Sequence, residues 1–192
     1  MKKLQAVLGV VLCASAGVAQ AEIIDFSVGD NSFRAALYGP LGEIVDGSKS
    51  QYDVGVVMRP KRTDDLLVAH VGGLVTGDAG MKEFNLAAGL GLRGVYVGRD
   101  HDSGGAVAMG GQAEARFPGY ERIGFSVYGY FAPEQTSLGD VEEYYEVGVG
   151  VDYQLVKNAS AYVGYREVKM DIANLTNVTA DDSFHVGLRL GF

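Results

Sequence analysis

The chain has no tryptophan, only four prolines and one cysteine, and fewer cations than acids. Each shortage excludes something. The cysteine, Cys13, lies in an apolar leader segment, so the mature chain has no disulfide. An exported chain of this length must then draw its stability from a core or a closed sheet, and one domain suffices. Cys13 follows Val11 and Leu12 rather than the small residue that precedes a lipoprotein cysteine, which argues against lipidation. A formal charge of -8, more acidic still once Lys2 and Lys3 are removed, makes nucleic acid a poor partner. No mature stretch approaches transmembrane-helix length without a charge. If the protein crosses a membrane it must therefore do so as a closed barrel, because an open sheet leaves backbone groups unpaired in hydrocarbon.

The N-terminus reads as an export signal. Lys2 and Lys3 precede the apolar stretch Leu4 to Val18, and Ala19-Gln20-Ala21 is a small-x-small cleavage site, so residues 1–21 form a secretory signal peptide and Glu22 begins the mature chain. A membrane-spanning helix would need about 20 apolar residues and finds too few before Gln20 and Glu22. Residues 22–192 then make a single domain. Its 28 glycines would weaken helices, whereas a tightly curved barrel wall uses glycine where facing side chains crowd.

The C-terminus points to a barrel in its own right. Phe184, Val186, Leu188, Leu190 and Phe192 share one strand face, and His185, Gly187, Arg189 and Gly191 share the other, because side chains alternate with a period of two. A strand ending in a free aromatic residue resembles the assembly signal of bacterial outer-membrane barrels. The same pattern recurs upstream. Tyr145, Val147, Val149, Val151 and Tyr153 face one way, with Glu146, Gly148, Gly150, Asp152 and Gln154 opposite. Tyrosines at both ends of an aliphatic run suit the two girdles of a membrane barrel, and the other face is too polar for a dry core. Segments 159–170, 121–133, 105–117, 83–97 and 52–59 alternate likewise, while 65–75 is apolar on both faces and only His70 marks an inside.

Connections sort by length. Pro118-Gly119-Tyr120 and Lys157-Asn158 are short, whereas 99–104, 134–140 and 171–182 are longer and polar, as expected of periplasmic turns and outer loops. Eight strands run from about residue 51 to the end. A hairpin at Asp30-Asn31, between Ile23–Val28 and Phe33–Gly39, brings the expectation to ten antiparallel strands, with eight as the alternative. Leu41 to Gln51 is long for a periplasmic turn.

Several stretches resemble one family. Gly104-Gly-Ala-Val-Ala-Met-Gly-Gly111, Tyr128-Gly-Tyr-Phe-Ala-Pro-Glu134 leading to Tyr144-Tyr145-Glu146, and Tyr162-Val-Gly-Tyr-Arg166 before His185-Val-Gly-Leu-Arg-Leu-Gly-Phe192 are similar to the YfaZ family of proteobacterial outer-membrane proteins. The resemblance is best from about residue 84 onward. It implies a small outer-membrane barrel and carries no catalytic signature.

Apparent catalytic motifs dissolve in context. Gly89-Leu-Gly-Leu-Arg-Gly94 fits GxGxxG but lies in mid-strand with no helix to follow. His101-Asp102-Ser103 has the residue types of a hydrolase triad, yet sequence neighbours cannot align nucleophile, base and orienter. His70, His101 and His185 are too dispersed for a metal site. No catalytic residue, cofactor or metal is expected.

One constellation has mechanical content. Arg34, Asp53, Arg59, Arg93, Glu114, Arg116, Arg122, Glu146, Asp152, Arg166, His185 and Arg189 are expected to line the lumen. Both signs occur in comparable numbers, so they should pair, because a buried unpaired ion is costly. A barrel of this size is filled by side chains, open channels being typical of about 16 strands. The expected role is a structural or narrow-pore barrel with a charge-filled lumen. The alternatives are an outer-membrane enzyme acting on lipid or lipopolysaccharide and a soluble, lipocalin-like binding barrel. Expected partners are outer-membrane lipid and, during biogenesis, the barrel-assembly machinery and periplasmic chaperones; a monomer is expected.

Overall fold

The computed structural model describes residues 22–42, 49–60, 65–78, 85–99, 103–172 and 175–192, with side chains omitted at 175–177. Residues 1–21, His101 and Asp102 lie outside the described residues. Within them run β1 (Ile23–Gly29), β2 (Phe33–Gly42), β3 (Lys49–Arg59), β4 (Leu66–Asp78), β5 (Asn85–Gly98), β6 (Ser103–Arg116) and β7 (Ile123–Ala132). A 3-10 turn at Glu134–Thr136 and the short β8 (Ser137–Gly139) precede β9 (Val141–Val156), β10 (Ala159–Ile172) and β11 (Leu175–Gly191).

Ten of these strands close into one antiparallel barrel. Neighbours in sequence pair throughout, and β1 closes on β11 from Ile23↔Gly191 to Gly29↔His185. β8 continues the line of β7 by pairing with Gly104–Ala106 of β6. At the closure the Glu22 and Phe192 backbones exchange hydrogen bonds of 3.1 and 3.0 Å, so both termini share one end. Followed once around, the register returns to β11 staggered by about 12 residues, which for ten strands implies a tilt of about 40°.

The alternation dictates the two faces. Phe184, Val186, Leu188, Leu190 and Phe192 all point outward, exposed by 44–76 %. Tyr153 and Tyr145 bracket an exposed aliphatic run on β9. At about 3.3 Å per residue and this tilt the run spans about 20 Å, close to the apolar band of a membrane barrel.

Glycine has a steric role on the inner wall. Tyr128 lies over Gly148 and Tyr162 over Gly187, each glycine being the residue directly opposite on the next strand. A Cβ on either glycine would collide with the tyrosine ring. Large side chains can therefore lie flat against the wall instead of jamming the lumen.

Three expectations need correction. The segment 171–182, read as a long polar loop, is strand in its described residues: β10 runs to Ile172 and β11 starts at Leu175, with 173–174 outside the described residues. Cross-strand pairing overrides its polarity, because its acids alternate between the outward and inward faces of an extended hairpin. The inward face is also not polar throughout. Toward the end opposite the termini it packs as a dry core of Val57, Leu66, Val68, Val95, Val97, Val141, Val168, Met170 and Ile172. Leu41 to Gln51 shrinks as well, since β2 reaches Gly42 and β3 begins at Lys49, leaving 43–48 outside the described residues.

Candidate functional site

The lumen is layered along the barrel axis. Near the termini the wall carries ionic and polar side chains that solvent can reach. Arg116 Nη2 donates to Asp152 Oδ2 at 2.8 Å across β6, β7 and β9, while Glu114 is exposed. Gln112, Ser126 and Tyr128 are half-buried on the same stretch of wall.

The middle layer is buried and strongly ionic. Arg93 of β5 reaches Asp53 of β3 and, at 3.0 Å, Glu146 of β9. Its guanidinium carbon sits 3.6 Å from the centre of the Tyr130 ring. His70 Nε2 shares a 2.9 Å hydrogen bond with Asp53 Oδ1, and the Tyr144 hydroxyl donates to Glu146 Oε2 at 2.7 Å. Arg93 is 2 % exposed, Asp53 0 % and Glu146 1 %. Charges that deep require partners, and one guanidinium serves two carboxylates from opposite walls.

A second group centres on Asp25 of β1. It accepts from Arg189 Nε at 3.0 Å and from the Tyr162 hydroxyl, and Arg34 Nη1 lies 3.6 Å away. Arg34 also donates to the Tyr38 hydroxyl, and Arg189 lies over the Tyr162 ring. The third group joins Arg166 to Asp181 at 2.7 Å, with Ser183 donating to the same carboxylate and Ser27 3.4 Å from the guanidinium. The Arg34–Asp25, Arg189–Asp25 and Arg166–Asp181 pairs join neighbouring strands, whereas the Arg93 bridges to Asp53 and Glu146 and the Tyr162–Asp25 and Arg166–Ser27 contacts tie non-adjacent strands together. The latter do work that the backbone ladder, which links only neighbours, cannot do.

Above the ionic layer lies the apolar one. Val68, Val97 and Val168 are 0–1 % exposed, and Met170 and Ile172 2 %. These side chains come from opposite walls and meet in one cluster with Val95, Ala106 and Val141. The valine, methionine and isoleucine side chains of this layer offer a hydrated ion or sugar nothing polar to replace its water.

The structure brings Arg34, Asp53, Arg93, Glu146, Arg166 and Arg189 into these networks. Arg116 and Asp152 stay at the mouth, and His185 is buried beside Tyr162. Arg59 ends β3 and donates to the Thr179 carbonyl. Arg122 is a correction: it lies exposed in the turn at Glu121–Arg122, beyond the end of the lumen wall, because β7 starts only at Ile123. Sequence reading missed Asp25 and Asp181 as charge partners. Asp25 was legible from its alternation with Ile24 and Phe26; Asp181 was hidden in the presumed loop. Ser103, the described member of the triad-like tripeptide, donates its backbone N–H to Asp140 and accepts from the Asp140 N–H. Among the described residues no cluster of His, Cys, Asp and Glu could hold a metal ion.

The outward wall has two shallow apolar depressions of about 440 and 740 Å³, which share Ala113 and Val127. The larger lies where Ala88, Gly111 and Gly129 leave the surface low between bulkier rows.

Comparison with known proteins places this geometry. No curated protein matches the sequence. A solved structure titled "NanC porin structure in rhombohedral crystal form" is similar with a TM-score of 0.45 and 10% identity, covering 90% of this chain and 99% of that one. The family model described as YfaZ precursor matches residues 55–192, the whole barrel from mid-β3 to the C-terminal phenylalanine. The chain belongs to the YfaZ family and is a small barrel of the outer-membrane kind.

Proposed function

We propose that the protein is a barrel sealed at one end, with a structural role in the outer membrane, rather than a diffusion pore or an enzyme. The observation that carries this is the apolar upper lumen. Val68, Val97, Val168 and Met170 close the cross-section in a region where a conducting path would need polar groups. Below them every deeply buried charge named above has an opposite charge beside it. Such paired charges stiffen the wall and offer a passing ion no vacant partner.

In this reading the leader is removed near Ala21 and the barrel inserts with both termini toward the periplasm. The outward row Phe184 to Phe192 carries the signal that the assembly machinery reads, after delivery by periplasmic chaperones. Lipid is then its main partner, and a filled lumen lets it stand as a monomer.

Purified protein in planar bilayers tests the seal. In molar salt the membrane should stay at baseline conductance. Discrete steps that scale with salt conductivity would overturn the sealed reading and put a narrow pore in its place.

A further inference from the structure

The barrel rim opposite the termini is not level. The β1–β2 hairpin stops at Gly29 and Phe33, whose partners are His185 on β11 and Met58 on β3. β11 continues above His185 to Leu175 with β10 along one edge. Among the described residues no strand pairs with its other edge there. Above the hairpin that edge lies beside β3 and β4, although lower down β1 and β2 stand between β11 and β3, and β1, β2 and β3 between β11 and β4. The wall therefore changes from a hydrogen-bonded ladder to a seam.

A bulge shapes the seam. The register passes from Val168↔Asp181 to Lys169↔Thr179 and skips Ala180. The extra residue turns Ala180 inward, where it is 1 % exposed, and bulges of this kind re-aim the groups beside them. The Thr179 carbonyl accepts a hydrogen bond from Arg59 Nη1, so the last side chain of β3 reaches across to β11.

The surroundings say what such a seam would admit. Behind it stand the buried Val57, Val68, Val168 and Met170. In front, Phe33 and Phe184 point outward at the upper margin of the apolar band. At its foot the Ser32 hydroxyl, in a residue 6 % exposed, has no hydrogen-bond partner among the described residues. A cation at the rim of an apolar cluster beside the membrane margin is complementary to a hydrocarbon tail with an anionic head.

We propose that the seam between β11 and β3 is a lateral gate latched by Arg59, at which the tail of a single-chain anionic amphiphile enters from the membrane by parting the packed side chains of the apolar upper lumen. The head group takes the place of the Thr179 carbonyl on the guanidinium. Opening breaks this side-chain latch and leaves the ladder hydrogen bonds of the ten strands intact. The gate rests on the reading of the chain as an inserted barrel and is independent of whether the lumen conducts.

The mature chain has no cysteine, so Ala180→Cys places a single thiol behind the seam, with Val178→Cys, which packs against the same cluster, as the substitute if that variant does not fold. Each is reconstituted in phosphatidylcholine vesicles and labelled with a long-chain alkyl maleimide or with a membrane-impermeant sulfonated maleimide. Adding Arg59→Ala should speed alkyl labelling by about tenfold, the weight of one hydrogen bond to a charged group, and leave the sulfonated reagent slow. Palmitate should compete with the alkyl reagent while Arg59 is present and compete less in Arg59→Ala. Alkyl labelling indifferent to Arg59, equal acceleration of both reagents, or no competition by palmitate would each overturn the gate. A chain whose unboiled and boiled forms co-migrate on a detergent gel would instead sink the inserted-barrel reading beneath it.

Discussion

Replacing Arg93 by methionine is the most severe single test of the ionic layer. The side-chain volume is nearly kept, but Asp53 and Glu146, at 0 % and 1 % exposure, lose the cation between them. His70 and Tyr144 still hold one oxygen of each carboxylate, so the carboxylates are not stripped bare. Breaking a buried pair on one side costs about 3–5 kcal/mol. Losing the guanidinium from the Tyr130 face, 3.6 Å away, adds up to about 2 kcal/mol. The expected loss is thus about 4 kcal/mol or more, a large part of the stability of an ordinary domain. It can be read as the shift in urea midpoint for barrels folded in detergent or vesicles, followed by heat-modifiability or tyrosine fluorescence, since the chain has no tryptophan. The triple variant Arg93→Met, Asp53→Asn, Glu146→Gln should recover most of that loss, because no unpaired charge remains. A single-variant loss below about 1 kcal/mol, within the usual range for exposed pairs, would refute the claim that these charges are dry and mutually dependent. Failure of the triple variant to recover would refute the electrostatic origin.

Two further outcomes follow from packing and from the chain end. Gly148→Val drives a side chain into the Tyr128 ring and should cost about 1–3 kcal/mol; adding Tyr128→Ala should return part of it, and strictly additive costs in a double-mutant cycle would count against the tyrosine-over-glycine contact. Deleting Phe192 removes the exposed terminal aromatic and the backbone pair with Glu22. The faster-migrating unboiled band in outer-membrane fractions should then be depleted, and an undiminished band would show that the terminal residue is dispensable for assembly.

How much was legible depends on whether a property is local. Alternation with a period of two belongs to each strand, so Tyr145 to Tyr153 and Phe184 to Phe192 revealed their faces without any knowledge of their neighbours. That also settled the class, since a closed barrel is the β-structure that can present such faces to hydrocarbon. The hairpin at Asp30-Asn31 was visible for the same reason. The inward charges were legible as a set but not as pairs: Arg93 meets Asp53 and Glu146 because closure brings β3, β5 and β9 to face one another across the lumen, and no spacing in sequence encodes that distance.

The sequence by itself determined export, strand character and which side chains face which way, because a leader and a two-residue period are properties of short segments. Only the tertiary structure decided that the upper lumen is dry, since Val68, Val97 and Val168 are no different in sequence from the valines that face outward. It likewise decided that 171–182 is strand in its described residues and that β11 runs past β1 to meet Arg59. Both follow from register and stagger, which accumulate around the whole barrel and become fixed only when the last strand closes on the first.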